Sequence, residues 1–221
     1  MVNQVQRNGI PIKCGQILFW YFCGMQTHGL IILASGSGSN AASLVGYFNN
    51  HPKIQVCGLW TNNPQAGVLQ RNLGVDTQVF AQGDDTLIAT WKASGATTLV
   101  LAGYLKAIPA AWIDAFKGSV YNIHPALLPA YGGKGMYGMH IHRAVIASGD
   151  KASGLSVHKV TEVYDEGPLV FQMQLALRPK EAAEGLQQRI LEGEHWAFPR
   201  AIEADLLQQT MPTQLPAPWL A

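Results

Sequence analysis

Short apolar runs alternate with longer amphipathic stretches along this chain from Leu30 onward. Apolar runs bounded by turn residues predict buried strands, and amphipathic stretches predict helices packed on a sheet. The predicted strands are residues 30–34, 54–60, 97–102, 120–124, 154–160 and 168–175. The predicted helices are residues 41–49, 65–73, 84–92, 109–116, 140–148 and 181–204, the last as one helix or two.

This order of elements is typical of an α/β protein with a doubly wound, Rossmann-like sheet that is mainly parallel. Residues 97–102 are the most β-branched apolar run and should form the central strand. The last two predicted strands are close enough in sequence to be antiparallel neighbours, which predicts an antiparallel C-terminal extension. The glycine-rich residues 130–138 should form a mobile loop over a site, and the proline-rich residues 211–221 should be irregular.

Composition narrows the classes of function. Charged residues make up 13% of the 221 residues and the formal net charge is +1, which argues against binding to nucleic acid. Cys14, Cys23 and Cys57 show no metal-ligand spacing and cannot all pair, which predicts a reducing compartment and a cytoplasmic protein. We therefore expect small-molecule partners, no membrane association, and a monomer or homodimer.

Residues 1–24 do not fit the α/β pattern. Residues 16–24 are apolar and aromatic but too short for the roughly 20 residues of a membrane span. Only Arg7 and Lys13 precede them, which is a poor match to a secretory signal. Met25 could itself be a start. The sequence predicts a non-functional extension over residues 1–24 and one domain over residues 25–221.

Asn122 and His124 carry the clearest chemistry. They lie two residues apart at the end of a predicted strand, so both side chains point to one face. An amide donor beside a titratable ring can stabilise an oxyanion and move a proton at one carbonyl carbon. A turn-capping asparagine and a core histidine are the alternative for these two residues taken alone.

The loop over residues 35–40 follows a strand and opens a helix, which is a favourable place to hold an anion. Gly36-Ser37-Gly38-Ser39-Asn40-Ala41 also fits the dinucleotide pattern G-x-G-x-x-A. A nicotinamide site would require an acidic residue at the end of the second strand, where Trp60-Thr61-Asn62-Asn63 stands instead. The loop fits a single phosphate better than a dinucleotide. The alternative is a tight turn that binds no ligand.

Four blocks in this order resemble the phosphoribosylglycinamide formyltransferases, the folate-dependent enzymes of purine synthesis. They are residues 34–40, residues 101–104, residues 122–129, and Ser156-Val157-His158 with residues 164–168. The resemblance runs from about Leu30 to Pro199. It implies the formyltransferase fold, transfer of a formyl group from 10-formyltetrahydrofolate as co-substrate to the amine of glycinamide ribonucleotide, and no metal.

The resemblance also implies roles for particular residues. Asn122, His124 and Asp165 match the catalytic set, although Asp165 alone would be typical of a turn. Glu194 matches a glutamate that contacts the glycinamide part. The remaining positions match the phosphate site at Gly38, Ser39 and Asn40, and the folate cleft at Leu105, Lys106, Ala107, Ile108 and Thr161.

Beside Asp165, we expect His124 to be protonated, because a carboxylate favours the imidazolium. His140, His142 and His158 stay ambiguous. His140 and His142 stand two residues apart, but no third metal ligand has a suitable spacing.

Three other functions compete. A formyltetrahydrofolate hydrolase would share the folate site, but the phosphate loop argues against it. A methionyl-tRNA formyltransferase would require more basic charge. A nucleotide-binding module without catalysis would leave Asn122, His124 and Asp165 without a task.

Overall fold

The computed structural model of the protein describes residues 27–212 and residue 219. Its strands are β1 His28–Leu33, β2 Ile54–Thr61, β3 Thr77–Val79, β4 Ala96–Leu101, β5 Val120–His124, β6 Ala152–Lys159 and β7 Leu169–Ala176. Its α-helices are α1 Ser39–Phe48, α2 Leu87–Ala93, α3 Ala110–Ala115, α4 Met139–Ser148 and α5 Ala183–Leu207. The predicted extension over residues 1–24 and most of residues 211–221 lie outside the described residues.

The strands form one sheet in the order β3-β2-β1-β4-β5-β6-β7. The five strands from β3 to β5 are parallel, and β6 and β7 continue the sheet in antiparallel pairs. The predicted Rossmann-like sheet with an antiparallel C-terminal extension is confirmed. Strand β4 lies fourth of seven, in agreement with the central strand predicted over residues 97–102.

Two hydrophobic cores cover opposite faces of the sheet. Leu30 and Ile32 of β1 pack into the core formed with α1, α4 and α5, whereas Ile31 and Leu33 pack into the core formed with α2 and α3. Successive side chains of a strand point to opposite faces, so a strand covered on both faces is apolar throughout. In the described part of the chain, no helix is long and apolar enough to cross a membrane.

The helix predicted over residues 65–73 is wrong. Only a short 3-10 helix, Gly67–Gln70, is present. Asn63 accepts hydrogen bonds from the backbone N–H groups of Gln65 and Ala66, and Val68 donates its N–H to the carbonyl of Gly36. These bonds compete with a helical ladder. Strand β3 was not predicted, because it is a three-residue edge strand without an apolar run.

Helix α5 carries Pro199 in its interior. Proline has no N–H, so the carbonyl four residues earlier, that of His195, lacks its usual intrahelical donor. The hydroxyl of Ser43 on α1 donates to that carbonyl at 2.7 Å instead. This bond helps to fix α5 against α1, and α5 carries Glu194 towards the site.

Candidate active site

One cavity of about 1020 Å³ opens at the carboxyl ends of β1, β4 and β5. Ligands of open α/β sheets bind at this edge, where the loops that follow parallel strands converge. All the site residues predicted from the sequence line this cavity: Gly38, Ser39, Asn40, Leu105, Lys106, Ala107, Ile108, Asn122, His124, Thr161, Asp165 and Glu194.

Strand β5 presents Asn122 and His124 to the cavity. In the antiparallel register with β6, Asn122 lies opposite His158. The Nδ2 atom of Asn122 lies 3.1 Å from Nε2 of His158, and Nδ1 of His158 lies 3.0 Å from the carbonyl oxygen of Lys159. Because a carbonyl only accepts, Nδ1 of His158 carries a proton and Nε2 accepts from the Asn122 amide. This bond orients the amide and leaves its second N–H for a ligand.

Asp165 reaches the same point from the loop between β6 and β7. Its backbone is in the left-handed region, with φ of 58°. One carboxylate oxygen lies 3.6 Å from Nδ1 of His124, and the other lies 3.5 Å from Nε2 of His158. The N–H of Gly133 donates to the carboxylate at 2.9 Å. Burial alone would raise the pKa of Asp165, but the hydrogen bond from Gly133 and the other polar contacts of the carboxylate hold it below its ordinary value.

The expectation that His124 is protonated is wrong for the ligand-free protein. Burial lowers the pKa of His124 below its ordinary value, and the opposing effects of the Asp165 charge and a bond to Tyr131 do not restore it. The Nε2 atom lies 2.8 Å from the Tyr131 carbonyl oxygen, so Nε2 carries the proton. Its Nδ1 atom is therefore a free base that faces Asp165.

His158 is a site residue that the sequence left ambiguous. It is buried and contacts both Asn122 and Asp165. The sequence signals were its position in an apolar strand, on the same face as Ser156, and its place in the Ser156-Val157-His158 block of the resemblance. The pairing with β5 decides that this face is the one that meets Asn122.

Glu194 is buried in the cavity wall, where its carboxylate accepts a hydrogen bond from Nδ2 of Asn40 at 2.8 Å. Burial raises the pKa of Glu194 to about 7, and the Asn40 bond offsets only part of this effect. The side chain of Asn40 therefore contacts Glu194 rather than standing free for phosphate. The Oδ1 atom of Asn40 is buried without a partner, so an amine or hydroxyl donor of a ligand would fit beside it.

Residues 35–40, the predicted anion loop, lead from β1 into the first turn of α1. Gly38 has φ of 72°, and a side chain there would overlap Val68. Helix α1 begins at Ser39, so its first N–H groups have no intrahelical acceptor. The Nε group of Arg71 donates to the carbonyl of Ser37, which places a guanidinium beside the loop. Arg71 was not predicted, because it is far from the loop in sequence.

The predicted folate side of the cavity is lined by two loops. One carries Lys106 after β4, and the other carries Thr161 after β6. Leu105 and Val163 expose half of their side-chain surface at the mouth, and exposed apolar residues beside a cavity are typical of a binding surface. The Ser35 hydroxyl accepts from the N–H of Leu105 at 3.1 Å, which links this side to the anion loop.

His140 is exposed and His142 is buried, so the two rings do not face one ligand. Burial lowers the pKa of His142 to about 4. Across residues 27–212, no three His, Cys, Asp or Glu side chains come together to hold a metal ion.

Two chloroplastic phosphoribosylglycinamide formyltransferases are similar to the chain. The Vigna unguiculata protein is 39% identical over 79% of this chain and 60% of its own length. The Arabidopsis thaliana protein is 34% identical over 79% of this chain and 64% of its own length. The chain thus spans less than two thirds of either plant relative.

The crystal structure of glycinamide ribonucleotide transformylase 1 from Symbiobacterium toebii has the same fold. It superposes with a TM-score of 0.74 at 29% identity and covers 82% of this chain and 89% of its own. Residues 26–202, which include every residue of the site, match the formyl transferase family. The chain therefore belongs to the formyl transferase family.

Proposed function

We propose that the protein transfers the formyl group of 10-formyltetrahydrofolate to the amine of glycinamide ribonucleotide, as a phosphoribosylglycinamide formyltransferase of purine synthesis. The observation that carries this proposal is the convergence of Asn122, His124 and Asp165 in a cavity that also holds an anion loop. The names and folds of the similar proteins support it.

The amine nitrogen attacks the formyl carbon, and the carbonyl oxygen becomes an oxyanion. The second N–H of the Asn122 amide stabilises that oxyanion, since His158 already holds the amide in one orientation. Removing one preorganised donor of this kind typically costs about 3–4 kcal/mol.

His124 moves the proton. Its free Nδ1 accepts the proton that the amine loses, and the imidazolium so formed lies 3.6 Å from the Asp165 carboxylate. As the bond between the formyl carbon and N10 breaks, the imidazolium returns the proton to N10 of tetrahydrofolate. His124 therefore rests as a neutral base and becomes charged only during the reaction, when Asp165 stabilises the charge.

The two substrates enter from opposite sides of the catalytic residues. Gly38, Ser39 and the N–H groups at the start of α1 hold the ribonucleotide phosphate, with Arg71 beside them. Glu194, with Asn40, binds the glycinamide end. The folate packs against Leu105, Lys106, Ala107, Ile108 and Thr161.

The proposal extends to a cytoplasmic location and a monomer or homodimer. The location rests on the three cysteines without metal spacing, whereas both plant relatives are named chloroplastic. Fractionation of the source cells and size-exclusion chromatography of the purified protein test these two points.

The deciding experiment measures formyl transfer from 10-formyltetrahydrofolate to glycinamide ribonucleotide. We expect formylation of the amine, with little release of tetrahydrofolate when the amine is omitted. Release that does not depend on the amine would indicate a hydrolase. Ribonucleotide binding without turnover would indicate a binding module.

Ser39→Asp assigns the phosphate side within the same assay. The carboxylate would repel phosphate, so the KM for the ribonucleotide should rise about tenfold or more while the KM for the folate stays unchanged. An acidic residue in the first turn of a helix is favourable, so α1 should remain stable. An equal rise in both KM values would contradict the assignment.

A further inference from the structure

Tyr131 lies beside His124 but does not line the cavity. Its carbonyl oxygen accepts the Nε2–H of His124 at 2.8 Å. A neutral imidazole carries one proton, so this bond selects the tautomer in which Nδ1 has a lone pair. Nδ1 is the atom that faces Asp165, and the proposed reaction requires it as the base.

The backbone of Tyr131 is unusual at this point. Its φ is 57°, in the left-handed region, which costs roughly 1 kcal/mol or more for a residue with a Cβ atom. A residue in this conformation persists only where the surrounding contacts hold it. The carbonyl direction that His124 needs therefore depends on other contacts of the same residue.

The phenol of Tyr131 supplies such contacts. Its hydroxyl lies between the carboxylate of Asp150 and the hydroxyl oxygen of Ser148, at the end of α4. Ser148 donates its own proton to the carbonyl of Val145, so Asp150 is the stronger acceptor for the phenol. The tyrosine thus bridges from the end of α4 to the ring of His124.

We propose that Tyr131 is a positioning residue whose phenol, anchored on Asp150, holds the carbonyl that fixes the tautomer of His124. This inference rests on the proposed function for its kinetic consequence, but its structural part stands on the ligand-free protein. The charged or titratable groups that face His124 are Asp165 from its loop, His158 from β6 and His142 from α4. Asp165 is an acceptor that faces Nδ1, so it favours a proton on Nδ1 and opposes the effect of the Tyr131 carbonyl on Nε2.

The test is the imidazole ¹H–¹⁵N spectrum of the ligand-free protein, which reports which ring nitrogen carries the proton. The wild type should show His124 protonated at Nε2. Tyr131→Phe and Asp150→Ala should each increase the Nδ1–H form, since either change removes the anchor. Asp150→Asn keeps an acceptor oxygen and should restore the wild-type spectrum.

Kinetics add a second measurement on the same variants. Tyr131→Phe and Asp150→Ala should lower kcat about tenfold with little change in either KM, which is the loss expected for a slightly misplaced base. The double variant should be no worse than either single one. Tyr47→Phe is the matched control, because Tyr47 donates to Glu203 between α1 and α5, away from the cavity.

Two results would overturn the inference. One is an unchanged His124 spectrum in Tyr131→Phe. The other is a fall in kcat that is explained by a fall in melting temperature. Tyr47→Phe shows how much kcat changes when a bond with only a structural role is lost. Absence of formyl transfer in the wild type would instead contradict the proposed function, and the spectra would still decide the role of Tyr131.

Discussion

His124 and Glu194 both lie buried in the cavity wall, and burial shifts their pKa values in opposite directions. Burial disfavours the charged form of any group, so it lowers the pKa of an imidazole and raises that of a carboxyl. His124 is therefore a neutral base and Glu194 is easily protonated. At the scale of single residues, desolvation thus shifts both groups towards their neutral forms.

His124 and Asp165 should act as one catalytic unit, because in the proposed reaction the carboxylate would stabilise the imidazolium. His124→Ala and Asp165→Asn should each lower turnover by about 10² or more. The double variant should be little worse than either single variant, since members of such a unit are strongly non-additive. Steady-state kinetics of the three proteins measure this.

The same kinetics give a pH dependence. Because the pKa of His124 is lowered in the ligand-free protein, the acid limb of the wild-type kcat/KM profile should have its midpoint below pH 6.5. The matched control is His51→Ala, which breaks a histidine–carboxylate pair with Glu203 outside the cavity and should leave turnover near normal.

If the losses of His124→Ala and Asp165→Asn were fully additive in the double variant, the two residues would serve separate purposes.

Glu194→Gln should change how stability depends on pH. The folded wild type binds a proton at Glu194 that the unfolded chain has already released, so its free energy of unfolding falls as pH rises from 4.5 to about 7. The variant lacks this decline but keeps an acceptor for Asn40. The difference in free energy of unfolding between the wild type and the variant should therefore change by up to about 3 kcal/mol across this pH range.

Urea unfolding at pH about 5 and about 8 measures this shift. His124 has the opposite sign, because its lowered pKa contributes stability that is lost as pH falls below 6.5. Because His124 is present in both proteins, its contribution to the pH dependence of stability cancels when the two are compared. Parallel stability profiles for the wild type and the variant would show that Glu194 titrates near its ordinary pKa.

Helix α5 connects the site to the far end of the chain. Trp219 is buried against Gly193, and its indole N–H donates to the carbonyl of Arg189 at 3.2 Å. Glu194 follows directly along the helix. The contact with Trp219, together with the Ser43 bond, thus holds the turn of α5 from which Glu194 enters the cavity.

Gly193→Ala should be destabilising, because the added methyl group would overlap the Trp219 ring. Overpacking of this kind typically costs about 1–3 kcal/mol. Gly185→Ala on the same helix is the matched control: its site is open, so the better helix propensity of alanine should stabilise the protein by about 0.5–1 kcal/mol.

Denaturant unfolding of both variants decides between the two effects. Combining Gly193→Ala with Trp219→Ala should add little to the cost of Trp219→Ala alone, because the overlap disappears with the ring. If Gly193→Ala behaved like Gly185→Ala, Trp219 would not pack on α5 in solution.

At the scale of the whole molecule, the two faces of the sheet differ in what they support. The core with α2 and α3 is closed by packed aromatic residues, including Trp91 and Trp112. The core with α1, α4 and α5 supports the helices that carry Asn40, His142 and Glu194 into the cavity wall. The positions of Asn40 and Glu194 therefore depend on how α1 and α5 pack on one face.

A protein that starts at Met25 should keep its fold and its turnover. Residues 1–24 lie outside the described residues and outside the family match, which begins at residue 26. Their sequence fits neither a signal nor a strand of the α/β pattern. Thermal unfolding and formyl-transfer assays of the two forms measure this. A large fall in melting temperature or turnover would indicate that residues 16–22 pack into the core.

The sequence by itself determined the features that depend on near neighbours. Alternation of apolar runs predicted all the strands except the edge strand β3, and the two-residue spacing predicted that Asn122 and His124 share a face. The polar glycine loop over residues 35–40 predicted the turn from β1 into α1, although the helix begins at Ser39 rather than at residue 41. Each of these follows from periodicity or local backbone sterics.

Only the tertiary structure decided the ionisation and the partners of the site residues. The Asn40–Glu194 bond joins residues 154 positions apart, and the contact of His158 with Asn122 depends on the register of β6 against β5. The neutral state of His124 follows from desolvation by distant segments that bury it, although its nearest charge, Asp165, favours the opposite. A pattern along the chain records which groups are present, whereas burial and register set what they bind and which protons they hold.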